Sequence, residues 1–200
     1  MATKRATEIP TIDVSLVSIQ AKDSQDEYIL DTASVIEVEP QVEEQDAIKL
    51  IVKGVLKAQK PMTKTLTGNQ ITLTDNVFTP EIVKILQGGT IHYWANEGHT
   101  SEGDVPTEFG ISGYTPPVAG SSEKGQTFTL NAYSAQYNAA GEIVQYEKIM
   151  YPNCKGVPVA FGSEDDTFRS PEYTINSAPN KGEAPYDIDY VAALPTGDGE

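Results

Sequence analysis

The sequence predicts a mainly β fold flanked by one short α-helix. Alternating apolar and polar residues recur along much of the chain, Gly and Pro punctuate the runs, and a single segment carries a full set of helix signals. That segment lies in NQITLTDNVFTPEIVKILQGGTIHYWAN, residues 69–96, between two strand-like runs. Thr79 can serve as N-cap for the free amides of the first turn, and Pro80 at the first helical position has no amide to leave unpaired. Glu81 complements the positive end, Ile82, Val83, Ile85 and Leu86 form an apolar side, and Gly88 offers a left-handed stop. A helix over 80–87 is too short to persist alone, so Ile82, Ile85 and Leu86 are expected to pack on a sheet.

The strands follow from period-two patterns. The first spans Asp13 to Gln20. In Ser34 to Glu39, Ile36 and Val38 alternate with Glu37 and Glu39, and Pro40 is expected to end the run. In DAIKLIVKGVLKAQK, residues 46–60, Ile48, Leu50, Val52, Gly54, Leu56 and Ala58 fall on one face. Lys49, Ile51, Lys53, Val55 and Lys57 fall on the other. With PQVEEQ as a turn, the two runs form a hairpin that sets Glu37 near Lys49. Further strands are expected at 71–74, 90–95, 127–137, 143–151, 157–161 and 173–176. EIVQYEKIMY carries apolar residues on both faces, which points to self-association, because an antiparallel sheet in a lone subunit leaves one face wet.

With 200 residues and no break in composition the chain is expected to form one domain, residues 1–200. An N-terminal arm, 1–10, and a C-terminal arm, 192–200, flank it. Between them a long loop, 97–126, is rich in Gly, Ser, Pro and acids. Val105, Phe109, Ile111, Tyr114 and Val118 make that loop too apolar for a solvent linker, so it is expected to dock on other subunits. Nothing resembles a membrane span, and MATKRATEIPT lacks the apolar centre of a secretory signal, so a soluble product made in the cytoplasm is expected.

The net charge is −15, and from residue 24 to 45 there is no Lys or Arg while Glu37, Glu39, Glu43 and Glu44 cluster. Tight binding to nucleic acid works by releasing counterions to a basic patch, and this composition argues against it. An acidic surface serves solubility, or passage close to a polyanion without sticking.

No catalytic constellation is present: no phosphate-binding loop, dinucleotide fingerprint, HExxH, GxSxG or calcium loop. No enzyme, cofactor or metal role is expected. His92, Glu97 and His99 are read as ordinary surface groups. Glu164, Asp165 and Asp166 are read as a solvated turn, and Cys154, the single cysteine, as a small buried residue.

Two blocks resemble a known family: KAQKPMTKTLTGNQITLTDNVFTPEIVKILQGGTI, residues 57–91, and TLNAYSAQYNAAGEIVQYEKIMYPNCKGVPVAFGSEDDTFRSPEYTINSAP, residues 129–179. Their order and phrasing are similar to the major tail tube protein of tailed bacteriophages of Gram-positive hosts. The resemblance implies a β-sandwich or half-barrel of antiparallel strands flanked by one short α-helix, assembling into hexameric rings with a β-lined lumen. It implies partners too: further copies of the chain, a tape measure protein, a tail terminator and baseplate or distal tail proteins, with viral DNA passing through but not held. Six copies at −15 give −90 per ring, and Glu37, Glu39, Glu43 and Glu44 become candidate lumen acids. Lys49, Lys53 and Lys57 become candidate contacts between subunits. The tube of a contractile tail or of a phage-derived bacteriocin has the same fold. A β-sandwich adhesin or carbohydrate-binding module is the alternative of another class.

Overall fold

A computed structural model describes residues 9–22, 24, 27–93, 110–122, 124–162 and 165–197. Among these residues twelve strands and one helix follow in the order β1 Thr11–Ala21, β2 Glu27–Leu30, β3 Ala33–Gln45, β4 Ile48–Val52, β5 Val55–Lys60, β6 Thr63–Asp75, α1 Pro80–Gln87, β7 Thr90–Tyr93, β8 Ile111–Thr115, β9 Phe128–Tyr137, β10 Ile143–Gly156, β11 Glu172–Ser177 and β12 Asp187–Val191. The fold is mainly β and antiparallel, as the sequence predicts. The principal sheet runs β2-β1-β9-β10-β11-β6-β3, with β12 added to the first half of β10.

Long β10 divides this sheet into two layers. Its first part pairs with β9 and β12, and after an irregularity between Tyr151 and Cys154 its end pairs with β11. Val17, Ile19, Phe128 and Leu130 of one layer and Ile71, Leu73, Tyr173 and Ile175 of the other are all buried in a common core. These are alternate residues on their strands, the period that gives a sheet one apolar face.

The helix has the predicted bounds and closes the core with Ile82, Val83, Ile85 and Leu86, all buried. Pro80 is its first residue and Gly88, at φ +85°, its stop. Thr79 differs from expectation: its side chain makes no capping bond, and the residue serves through its carbonyl, which accepts from the Val83 amide at 3.3 Å.

The region 33–75 departs most from the sequence reading. Pro40 does not end a strand, and PQVEEQ is not a turn: β3 runs through both, paired with β6. β3 is the edge of the sheet, where a missing amide can face solvent at no cost to a ladder. Residues 46–60 are not one strand but the hairpin β4–β5, turning at Lys53 and Gly54 with φ +49° and +77°. Two successive positive φ values are the signature of the two-residue type I′ turn. Glu37 therefore lies opposite Thr72, and Lys49 opposite Gln59, so the expected Glu37–Lys49 pair does not form.

Three smaller corrections follow. Residues 157–161 form no strand; the Val157 amide donates to the Thr174 carbonyl and the chain then leaves the sheet. The segment expected as a long loop contains β8, paired with β7. β12 is a strand beyond those the sequence predicts, because exposed Asp187 and Asp189 mask the strand pattern of DIDYV.

Candidate functional site

Two surfaces stand apart from the core, and both arise from β3 and β6. The first is the outer face of the β11-β6-β3 layer. Because Leu73, Ile71, Tyr173 and Ile175 point inward, alternation sends Thr72, Thr74 and Gln70, and beside them Thr174, Asn176 and Glu172, outward. On β3 the same face carries Glu37 and Glu39, opposite Thr72 and Gln70. At Gln41–Val42 the register slips by one residue: Gln41 faces Gly68 and Val42 faces Leu66, which leaves Thr67 as the extra residue of β6. The slip is on β6, so alternation continues unbroken along β3 and Glu43 follows Glu37 and Glu39. Glu44 falls on the opposite side, in an ion pair with Lys64. Three of the four predicted acids thus share a face and the fourth does not.

That face carries acids, uncharged polar groups and the exposed Val35 opposite Thr74, with Lys155, opposite Asn176, at its margin. Alternate strand residues stand about 7 Å apart, so Glu37 and Glu39 lie within one Debye length, about 8 Å at physiological salt, and repel an approaching anion together. The outer face of the other layer is built differently. There Lys148 lies opposite Asp189 and its ammonium sits 5.9 Å from the Tyr133 ring centre. Ser18 Oγ donates to Glu27 Oε1 at 2.5 Å and accepts from Asn131 Nδ2 at 3.1 Å, holding β1, β2 and β9 together. There a cation stands in register with an acid and Glu27 is held by hydrogen bonds, whereas Glu37, Glu39 and Glu43 face uncharged β6 residues.

The second surface is the arm formed by the outer parts of β3 and β6 and the hairpin β4–β5. From Glu39 to Thr67 every residue except Ala47 is exposed, although the stretch includes Ile48, Leu50, Ile51, Val55 and Leu56. An irregularity between Leu50 and Ile51 leaves Lys57 as an extra residue of β5 and sets Leu56 opposite Ile51. Apolar residues therefore occupy both faces of the hairpin. Lys49, Lys53 and Lys57 all lie here, Lys53 at the tip.

The other predicted contact residues are divided. Tyr114 is held within the subunit: its hydroxyl donates to the Gly88 carbonyl at 2.5 Å and accepts from Gln87 Nε2 at 2.9 Å. Ile111 is half-buried and pairs with Tyr93. Val118 is 77% exposed. Val105 and Phe109 lie outside the described residues, as do His99, Glu97 and Glu164. His92 is on β7 with Nε2 2.8 Å from Thr115 Oγ1. Asp165 and Asp166 form a turn.

Cys154 is fully buried, with its thiol pushed up to about 12 by burial. A thiol held protonated in an apolar core is inert as a nucleophile. Among the described residues no three His, Cys, Asp or Glu side chains gather as a metal cluster, and no helix is long and apolar enough to cross a membrane.

No family model and no curated protein matches the chain in sequence. Among solved structures, a chain from the cryo-EM structure of the anti-feeding prophage (AFP) baseplate, 6-fold symmetrised, is similar over 96% of this chain and 98% of that one. The identity is 9% and the TM-score 0.33, too slight a likeness to carry fold or function.

Proposed function

We propose that this chain is a structural subunit of a phage-type particle that polymerises as stacked hexameric rings into a tail tube, with the outer face of β11-β6-β3 lining the bore. The observation that carries the reading is the composition of that face: Glu37, Glu39 and Glu43, with Glu172 beside them, on a mostly uncharged polar surface whose lysine, Lys155, stands at the margin. A duplex moving through a narrow conduit is slowed by each phosphate contact to a basic side chain. Threonine, glutamine and asparagine keep such a wall hydrated, while the acids repel the phosphates. In this reading the chain has no catalytic role and holds no cofactor. Its partners are further copies of itself, a tape measure protein, a tail terminator and distal tail proteins, and DNA passes through without being gripped. A tube enclosed by a contractile sheath satisfies the same physics.

The test is negative-stain electron microscopy of the purified chain with sedimentation across protein and salt concentration. Rings or hollow tubes with sixfold symmetry are expected. A species that stays monomeric at every concentration and salt overturns the reading and favours a β-sandwich adhesin or binding module.

A further inference from the structure

The β4–β5 hairpin and the strand ends that carry it concentrate the positive charge of an acidic protein. Residues 48–64 contain Lys49, Lys53, Lys57, Lys60 and Lys64 and no acid, a local charge of +5. The chain has 14 basic and 29 acidic residues, so nine basic and 29 acidic residues remain elsewhere, a charge of −20. Lys64 is paired with Glu44 at the base of the arm, and no ion pair joins Lys49, Lys53, Lys57 or Lys60 to another described residue. Between these lysines stand Ile48, Leu50, Ile51 and Leu56, each more than half exposed.

We infer that this arm is a docking finger whose partner is the acidic body of a second copy of the same chain. Resting on the self-assembly proposed above, the inference names the element that makes the contact and the force that directs it. Two features of the finger must be satisfied together. Its aliphatic side chains lie on both faces of a two-stranded ribbon, which is marginal in water unless covered, so the partner must supply apolar surface on a protein scale. Its lysines require acids, and the surface known to accompany every finger at equal concentration is the −20 remainder of another copy.

The attraction is polar in the directional sense: finger on one copy, body on the next. A patch that meets a different patch on its neighbour makes a head-to-tail contact, which closes into rings or continues as a filament. Nucleic acid fits less well, since the aliphatic residues between the lysines gain nothing from phosphates and the rest of the chain repels them.

The experiment compares the full chain with the triple variant Lys49→Glu, Lys53→Glu, Lys57→Glu by sedimentation at about 50 mM and 500 mM salt, with and without a short DNA duplex, alongside circular dichroism and electron microscopy. These lysines lie outside the core, so the variant is expected to keep its fold while its association weakens on the order of 100-fold at low salt. Association of the parent chain is expected to fall as salt rises. A folded variant that associates like the parent overturns the finger, whatever shape the assemblies take. A parent chain that remains monomeric, or a finger that binds the duplex in place of a second copy, overturns it too. Salt-sensitive, finger-dependent assembly into small closed oligomers without a bore supports the finger and sinks the tube.

Discussion

The hydroxyl of Tyr114 on β8 donates to the carbonyl of Gly88 at the end of α1, 2.5 Å away, and joins two elements 26 residues apart. The same oxygen accepts from Gln87 Nε2, and Gln87 Oε1 accepts in turn from the Val159 amide at 2.9 Å. One phenol therefore ties the β7–β8 hairpin, the helix end and the chain leaving β10. Carbonyls at a helix C-terminus have no partner within the helix, and this one is satisfied from outside. Tyr114→Phe removes the bond but keeps the ring, leaving Gly88 and Gln87 each short of a partner. A loss of about 1–3 kcal/mol of stability is expected in denaturant titration, with tube formation unchanged at protein concentrations where the fold persists. A variant as stable as the parent but defective in assembly would restore Tyr114 as a contact between subunits.

Leu86 sits where two glycines approach it, Gly156 at the end of β10 and Gly125 in the chain leading into β9. A Cβ at Gly156 would lie 2.5 Å from the Leu86 Cβ, and one at Gly125 would lie 2.1 Å from the Leu86 carbonyl oxygen. The helix can lie this close only because both positions lack side chains, so Gly156→Ala and Gly125→Ala are each expected to cost about 1–3 kcal/mol or more. Gly162 meets nothing within 4 Å and supplies the control, near neutral on substitution. Leu86→Asp buries a carboxylate in a side chain's place that is 1% exposed, and no folded protein is expected from it. Melting curves of the four variants check the ranking.

The helix was legible in the sequence because its signals are local: Pro80, Glu81, the apolar residues at 82, 83, 85 and 86, and Gly88 lie within nine consecutive positions. The arm was not legible, for a matching reason. Pro40 inside a strand is decided by β6, which lies downstream and fixes the register of β3 residue by residue, and Lys53–Gly54 as a turn is decided by the pairing of β4 with β5 in a sheet of their own. Because the one-residue slip at Thr67 falls on β6, alternation runs on along β3 and Glu43, not Glu44, continues the acidic face; this much the period of two would have marked had the strand been known to pass Pro40. Asn-Gly or Asp-Gly would have announced the hairpin; Lys-Gly is a weaker form of the same signal, with glycine at the position of larger positive φ.

The core also sets a limit at high pH. Burial pushes the phenols of Tyr151 and Tyr173 up to about 12, as it does the Cys154 thiol. All three are neutral when protonated, so the native state holds protons that the unfolded chain releases earlier. The unfolded state binds fewer protons above pH 9 to 10, and stability falls as pH rises through that value toward 12. Below about pH 8 these groups contribute no pH dependence. Thermal melts from pH 7 to 11 are expected to be level at first and then to decline, with Cys154 unreactive to a thiol reagent until the protein unfolds. Reaction of the thiol in the native state would show that the core opens locally.

The acidic face makes a prediction separable from assembly. Glu37, Glu39 and Glu43 project from an edge strand away from the core, so Glu37→Lys, Glu39→Lys and Glu43→Lys together are expected to leave the fold within about 1 kcal/mol of the parent, in the range typical of surface changes. With this face lining a tube as proposed, particles built from the variant are expected to keep tubes of normal appearance but to deliver DNA more slowly, because the bore would then present cations in place of carboxylates. The slowing should shrink as salt rises, since each phosphate contact competes with counterions. Delivery at the parent rate in low salt would place these acids outside the bore and move attention to the other layer, where Lys148 and Asp189 already face one another. Glu44→Lys serves as the contrast: it breaks the pair with Lys64 on the opposite side of the arm and is expected to act on association, not on the passage of DNA.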